Sequence, residues 1–399
     1  MVIMEYTFSS ALAELKPSAI REIFKVLGDP EVISFAAGNP APETFPSAEL
    51  AEISDRIWRE RPGAALQYGL TEGYAPLREA VTQRLRGVYG IGGGSDAVIM
   101  TSGGQQGVQL AAMTLCDPGD TVLCETPSFI GSLNAFRALG LRPRGVEMDE
   151  EGILPDSLEH TLKTQPRVKM LYTIPTFQNP SGITMTAERR AELLSLCERY
   201  GVMAVEDNPY SDLYYDGKPP AAIKSMDTAG RVIYAGSFSK VISPGLRVGF
   251  VCGPAPIVEK MVVAKQGIDV HTPQFTQMLV HEYISRHDLD AHIVTCRDLY
   301  RVKRDRMLNA CERSMSRGVN VVKPSGGLFL WCSLKDGADG VTADSAPFCR
   351  AAAAKKVAVV PGSAFLADTE ASTPGFRMNF SLPSPEQIDK GVEILSSLL

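Results

Sequence analysis

Residues 168–210 read VKMLYTIPTFQNPSGITMTAERRAELLSLCERYGVMAVEDNPY. The stretch changes period twice. Val168–Ile174 is a short apolar run rich in β-formers, bounded by Pro, as a buried strand is. Ala187–Tyr200 has helical spacing, with Leu193, Leu194, Leu196, Cys197 and Tyr200 on one face, Thr186 as N-cap and Gly201 as the stop. Val202–Val205 is apolar again. Strand, helix, strand at this rhythm predicts a parallel α/β sheet with helices on both faces. Working outward, the same kind of run recurs at Ala97–Thr101, Thr121–Glu125, Val232–Ala235 and Val248–Cys252. One connection breaks the pattern. Only GSFSKVISPGL separates the run ending at Ala235 from the one starting at Arg247, and a parallel pairing needs a dozen or more residues. The strand Arg247–Cys252 is therefore expected to run antiparallel in an otherwise parallel sheet.

Beyond about residue 280 the texture changes. A long helical stretch, Met278–Ser316, is followed by the turn Pro324-Ser325-Gly326-Gly327, strand-like LFLWCSL, helix-like AAAAKK, and strands VAVVPG and FRMNFS. This predicts a smaller α+β domain. The first forty residues hold a short helix, Ser18–Val26, and a strand-like VISFAAG. The expected division is an N-terminal segment at 1–45 packing with the small domain, a large domain at 46–280 and a small domain at 281–399.

The 399 residues carry 40 Lys plus Arg against 46 Asp plus Glu, a net charge of −6. No run of basic residues offers a nucleic-acid face, so such a partner is disfavoured. No stretch of eighteen apolar residues predicts a membrane span, and the start lacks a basic segment followed by a long apolar one. Eight cysteines without a Cys-x-x-Cys pair read as reduced, mostly buried thiols, which suits the cytoplasm. His281, His287 and His292 are spaced too irregularly to share a helix face; they read as surface groups, and no metal site is expected.

Ligands of parallel sheets collect at the carboxyl ends of the strands, so the residues there are the candidates for chemistry. Ser102-Gly103-Gly104-Gln105-Gln106-Gly107 follows the first run and opens a helix. Converging N–H groups there suit an anion, although a tight strand-to-helix turn reads the same way. Asn179, in Asn179-Pro180-Ser181-Gly182, offers an amide to a ligand or simply makes a turn. Glu206 and Asp207 end an apolar strand, where carboxylates are costly to bury unpaired; one caps a helix, or one faces a cationic ring nitrogen. Lys240 lies between small hydroxyls in Gly236-Ser237-Phe238-Ser239-Lys240, close in sequence to Arg247. A lysine near another cation has a lowered pKa and forms Schiff bases.

The segment Ser237-Phe238-Ser239-Lys240-Val241-Ile242-Ser243-Pro244-Gly245-Leu246-Arg247-Val248-Gly249 resembles the lysine motif S-x-S-K-x-x-x-P-G-x-R-x-G of the pyridoxal-phosphate-dependent, fold type I aminotransferases of class I/II. Asn179-Pro180-Ser181-Gly182, Asp207-Asn208-Pro209-Tyr210 and Phe376-Arg377-Met378-Asn379-Phe380 follow in the family's order. Gly38-Asn39-Pro40 and Gln67-Tyr68-Gly69 match as well, so the resemblance spans nearly the whole chain. Ser18–Ile23, Ile33–Gly38 and Gly326–Trp331 are most similar to the 2-aminoadipate, kynurenine and aromatic aminotransferase branch.

The resemblance implies a mostly parallel seven-stranded sheet with one antiparallel strand, plus a smaller α+β domain. It implies pyridoxal 5'-phosphate held on Lys240, which afterwards moves the substrate proton. Asp207 would face the ring nitrogen, and Asn179 and Tyr210 the ring oxygen. Gly103, Gly104, Gln105, Ser237, Ser239 and Arg247 would hold the phosphate, with Phe129 stacked on the ring. Arg377 would fork onto the substrate carboxylate beside Gly38, Asn39 and Asn179. Tyr68 would reach the site of a partner subunit in a homodimer, and Arg21 would meet the substrate side chain. Phe129 stands where many relatives have Tyr, and Gly104 where Ser is common. The implied activity moves an amino group from an L-amino acid to a 2-oxo acid, most naturally 2-oxoglutarate. Two other readings compete. One is a C–S lyase or decarboxylase on the same fold. The other is a transcription regulator, which needs about sixty residues of DNA-binding domain before the core; about thirty residues precede Ile33 here, so that reading is disfavoured.

Overall fold

The computed structural model describes residues 6–13, 31–335 and 344–399. Seven strands form the main sheet: β1 (Asp96–Thr101), β2 (Thr121–Glu125), β3 (Arg142–Val146), β4 (Val168–Thr173), β5 (Met203–Asn208), β6 (Val232–Ser237) and β7 (Gly249–Pro254). They lie in the order β1-β7-β6-β5-β4-β2-β3. The pairs from β6 through β5, β4 and β2 to β3 are parallel. β7 is antiparallel to both β1 and β6, as the short connection before it requires.

Strand alternation sends Met170, Tyr172, Val205 and Ile233 to one apolar core, and Leu123, Leu171, Ala204 and Val232 to another. The second core is covered by α3 (Ala187–Tyr200), which follows α1 (Gly104–Leu115) and α2 (Ile130–Ala138) in the chain. The Thr186 hydroxyl accepts from Arg189 N and Gly201 closes α3 at φ +67, both at the expected positions. A cap of this kind contributes about 1 kcal/mol. Each buried leucine contributes about 1.5–3 kcal/mol, so Leu193, Leu194 and Leu196 anchor α3 more firmly than its caps do.

Three details depart from the sequence reading. β3 was not anticipated: Arg142-Pro143-Arg144-Gly145-Val146 has no apolar alternation. It pairs only with β2, and an edge strand tolerates proline and charge. The strand beginning near Val202 continues to Asn208, so Glu206, Asp207 and Asn208 are paired with β6 rather than lying beyond the sheet. The long helix expected at Met278–Ser316 is two helices. They follow α4 (Ala255–Gln266) as α5 (Gln274–Arg286) and α6 (Leu289–Met315), and Asp288 caps the second by accepting from Ala291 N at 2.9 Å.

A second, antiparallel sheet holds β8 (Val319–Val321), β9 (Phe329–Leu334), β10 (Val360–Pro361) and β11 (Gly375–Asn379) in the order β8-β9-β11-β10. Ile33-Ser34 pairs in parallel with Val357-Ala358, which ties the N-terminal segment to this C-terminal part. The helix expected at Ser18–Val26 lies outside the described residues; Ser10–Ala13 forms one helical turn. All eight cysteines are free thiols and all but Cys116 are buried. The three histidines, on α5 (His281), at its C-cap (His287) and on α6 (His292), are half-buried rather than on the surface, His281 against Tyr74 and the other two against Tyr283. Among the described residues no helix is long and apolar enough to cross a membrane.

Candidate active site

The carboxyl ends of β1, β4, β5 and β6 converge with the start of the reversed strand β7. The pleat of β5 separates its two acids. Glu206 turns to one face, where its carboxylate accepts from Ile223 N and Lys224 N and caps the short helix Ile223–Met226. Asp207 turns to the other. Its Oδ2 accepts from the Tyr172 hydroxyl at 2.8 Å, and its Oδ1 faces Gly104, 3.9 Å from where a Cβ would stand. Burial pushes the Asp207 carboxyl up to about 6, against the opposing pull of that one hydrogen bond. A buried carboxylate with so little compensation is built to meet a cation.

At the end of β1 the chain turns at Gly103, with φ +84, and enters α1. A side chain at Gly103 would collide with the Arg247 guanidinium, which donates to Ser102 O at 3.0 Å. Gly249 abuts the same turn, since its Cβ would lie 2.7 Å from the Gly103 carbonyl carbon. Ser237 and Ser239 complete the cup and share a hydrogen bond of 2.8 Å. The helix N-terminus, two hydroxyls and a guanidinium together form an anion pocket. The turn is braced from behind by a network the sequence reading missed. Lys265, fully buried, donates to Asp269 and to Gln106 Oε1; Asp269 Oδ2 accepts from Ser102 Oγ and Gln106 Nε2; and Gln106 Oε1 accepts from Ser102 N, all at 2.7–2.8 Å.

Lys240 follows the two serines. Its Nζ donates to Gly38 O at 2.8 Å. Burial, reinforced by the Arg377 and Arg247 charges, brings its pKa down to about 8, so a sizeable neutral, nucleophilic fraction exists near physiological pH.

Arg377, in the middle of β11, is almost fully buried. It donates through Nη1 to Asn179 Oδ1 and through Nη2 to Ala36 O, both at 2.7 Å. Both partners are neutral carbonyls, and its Nε has no hydrogen-bond partner. Burial brings its pKa down to about 10. Its plane packs on the Phe329 and Phe365 rings at 4.2 and 4.9 Å. Asn179 Nδ2 points to the hydroxyl oxygen of Tyr210 at 3.5 Å, and Tyr210 stands edge-on to Phe329. Arg377, Asn179, Tyr210, Lys240 and Gly38 thus form one connected group.

Phe129 is half-buried at the N-cap of α2, beside the Gln105 side chain; the Cβ that Gly131 lacks would touch both. Two predicted residues stand apart in this chain. Tyr68 is 80% exposed, edge-on to His271. Asn39 is exposed, and its backbone carbonyl accepts from Ser381 Oγ. Arg21 lies outside the described residues. Tyr172, Phe329, Phe365, Gln178 and Glu125 were not foreseen. They are ordinary strand or turn residues, and only the alternation of β4 could have placed Tyr172 on the face of Asp207.

A buried amine at the carboxyl edge of a mostly parallel seven-stranded sheet with one reversed strand, facing the Arg247 cup and the buried Arg377 guanidinium, with a buried carboxylate on the same sheet edge, defines a fold type I pyridoxal-phosphate-dependent transferase. Residues 30–395 match the family described as aminotransferase class I and II. The chain is 39% identical to an aromatic-amino-acid aminotransferase of Thermococcus litoralis, over 99% of this chain and 94% of that one. A kynurenine aminotransferase from Pyrococcus horikoshii, solved in complex with PMP, superposes with a TM-score of 0.92 at 38% identity, covering 98% of this chain and 96% of that one. The alpha-aminoadipate aminotransferase LysN from Thermus thermophilus, complexed with N-(5'-phosphopyridoxyl)-L-leucine, gives 0.87 at 39% identity, covering 98% and 97%. The chain belongs to the aminotransferase class I and II family.

Proposed function

We propose that this aminotransferase moves the amino group of an aromatic or 2-aminoadipate-like L-amino acid to a 2-oxo acid, 2-oxoglutarate first among them, with pyridoxal 5'-phosphate carried on Lys240. The observation that carries the reading is the pairing of two separate anion pockets, around Arg247 and around Arg377, with Lys240 facing both charges. The residues present fit the cofactor. The turn can close against Arg247 and the start of β7, with its N–H groups at the cup, because Gly103 and Gly249 lack side chains. Asp207 is a buried carboxylate in want of a cation, as a protonated ring nitrogen would be. Gly103, Gly104, Gln105, Ser237, Ser239 and Arg247 would hold the phosphate, Phe129 the ring face, and Asn179 with Tyr210 the ring oxygen. When bound, the cofactor supplies the sink for the charge left at Cα.

The chain's own residues do the rest. Arg377 binds the α-carboxylate through its unsatisfied donors, with no acidic partner for its charge among the described residues. Gly38 lines that end of the cleft, against Phe329. Two fixed anions orient the substrate so that its Cα–H faces Nζ of Lys240. The lysine, with its lowered pKa, takes that proton and returns it to the cofactor side. We further propose a cytoplasmic homodimer. The unpaired thiols suit a reducing compartment. Tyr68, with Leu66 and Leu70, is exposed and apolar, as a residue covered by a second copy would be; it would then reach the partner's site. The domain change is better set at His287-Asp288 than at 280, since α5 runs through 280.

The test is a panel of aromatic, acidic and small aliphatic amino donors with 2-oxoglutarate or pyruvate, read by product formation. Amino transfer from tyrosine, kynurenine or 2-aminoadipate is expected. Release of pyruvate and ammonia from a cysteine conjugate without any 2-oxo acid would mark a C–S lyase instead.

A further inference from the structure

We propose that Glu125 and Gln178 form a positioning pair for the substrate-carboxylate site: the hydrogen bond between them sets Asn179, and Asn179 sets the guanidinium of Arg377. The inference rests on the reading of Arg377 as the carboxylate-binding residue.

Glu125 ends β2 and is buried within the sheet layer. Each of its recorded contacts is a donor. Oε1 accepts from Thr173 Oγ1 at 2.6 Å and Ile174 N at 3.0 Å; Oε2 accepts from Ile174 N at 3.2 Å and Gln178 Nε2 at 3.2 Å. A ring of donors is built for an ionised carboxylate, even though burial pushes its pKa up to about 7. A structure that only needed to fill this space would do so at less cost with an apolar side chain.

Gln178 has no freedom left. Its Nε2 also donates to Pro127 O at 2.7 Å, and its Oε1 accepts from Ser181 N at 2.8 Å. Turning the amide over would set oxygen against oxygen at Pro127 and at Glu125. Its backbone closes the turn through Ile183 O and Gly182 N. The next residue is Asn179, whose Oδ1 accepts from Arg377 Nη1 at 2.7 Å. A shift of Gln178 therefore reaches Arg377 through one peptide unit and one hydrogen bond, and a shift of Glu125 through one hydrogen bond more.

Glu125→Gln keeps the volume but removes one acceptor: its amide either turns NH₂ toward the NH₂ of Gln178, which cannot flip, or turns it toward Thr173 and sets it against Ile174 N. Gln178→Leu cuts the same bond from the other side, together with those to Pro127 O and Ser181 N, and serves where the first variant does not fold. Thr173→Val is the control, since it removes a different bond to Glu125 and leaves Gln178 alone. Each holoenzyme is measured for KM and kcat, and for the Kd of 3-phenylpropionate, an unreactive carboxylate, by fluorescence titration. We expect Glu125→Gln and Gln178→Leu to raise KM for donor and acceptor, and that Kd, by a common factor of roughly ten, with kcat falling less. Thr173→Val should stay within about twofold. Unchanged KM and Kd in Gln178→Leu, with only a lower Tm, would overturn the pair as a positioning device. So would a rise in Thr173→Val equal to theirs. If Arg377→Ala itself leaves the Kd unchanged, the carboxylate site is misassigned and the inference falls with it.

Discussion

Replacing Asp207 by Asn should make the cofactor-free protein more stable while destroying its activity. Folding moves the Asp207 pKa from 3.8 to about 6, because burial disfavours the carboxylate. The folded chain therefore binds this proton more tightly than the unfolded chain does. Below pH 3.8 both states hold the neutral acid and the burial is free of charge cost. As pH rises through the folded value near 6 that advantage is lost, and above it the protein carries an ionised carboxylate in its interior. A shift of roughly two pKa units corresponds to about 3 kcal/mol. Asparagine keeps the shape and accepts the Tyr172 hydroxyl bond, but never ionises. Calorimetry of the two apo proteins should find the variant level with wild type near pH 4 and gaining between pH 4 and 6. Above pH 6 the Tm difference should hold at roughly 3–6 °C. Reconstituted with pyridoxal phosphate, the variant should lose on the order of a hundredfold or more in kcat, since a neutral amide no longer favours a protonated ring nitrogen. An apo variant no more stable than wild type at pH 7.5, or a difference flat across pH 4–6, would refute the argument that Asp207 is held unpaired at a cost.

Three further outcomes follow from the same geometry. Arg377→Ala should raise KM for every amino donor by about a hundredfold, the worth of two charge-assisted hydrogen bonds, in steady-state kinetics that vary donor and acceptor separately. Lys265→Met should weaken pyridoxal phosphate binding by about tenfold in equilibrium titration, because Asp269 and Gln106 lose the cation that fixes them under the Ser102 turn. Gly104→Ser should be tolerated and hold the cofactor at least as tightly, since a Cβ there meets Ser237 at an ordinary 3.6 Å; a loss of affinity in the same titration would show that the cup has no room for the hydroxyl.

The sheet was legible because its inner strands are buried on both faces and so read as unbroken apolar runs. Arg142–Val146 escaped notice for the opposite reason: an edge strand pairs on one side only and needs no such run. The reversal of β7 followed from loop length alone. The break between α5 and α6 was hidden because Asp288 caps the second helix in the middle of continuous helical spacing, where an acidic residue is also common within helices. The site was legible where it is local in sequence. Lys240, Ser237, Ser239 and Arg247 lie on one loop, and the loop announces itself. The residues alone left the choice between Glu206 and Asp207 open; the resemblance named Asp207, and the pleat of β5 turns Glu206 to Ile223 N and Asp207 to Tyr172. The long-range contacts of Lys265, Glu125 and Gln178 join residues 48 to 159 apart, which no spacing rule connects.

We propose above all that Lys240 is both the anchor and the proton carrier. It is tested most directly by adding pyridoxal phosphate to Lys240→Ala and to wild type. The visible absorbance of each is then recorded before and after an active amino donor. Wild type should show an imine band that titrates with pH and is bleached by the donor. The variant should fold with an unchanged Tm, show no lysine-imine band, and transfer no amino group above the solution rate. A Lys240→Ala protein that keeps the band, or that turns over at a rate near wild type, would contradict the account.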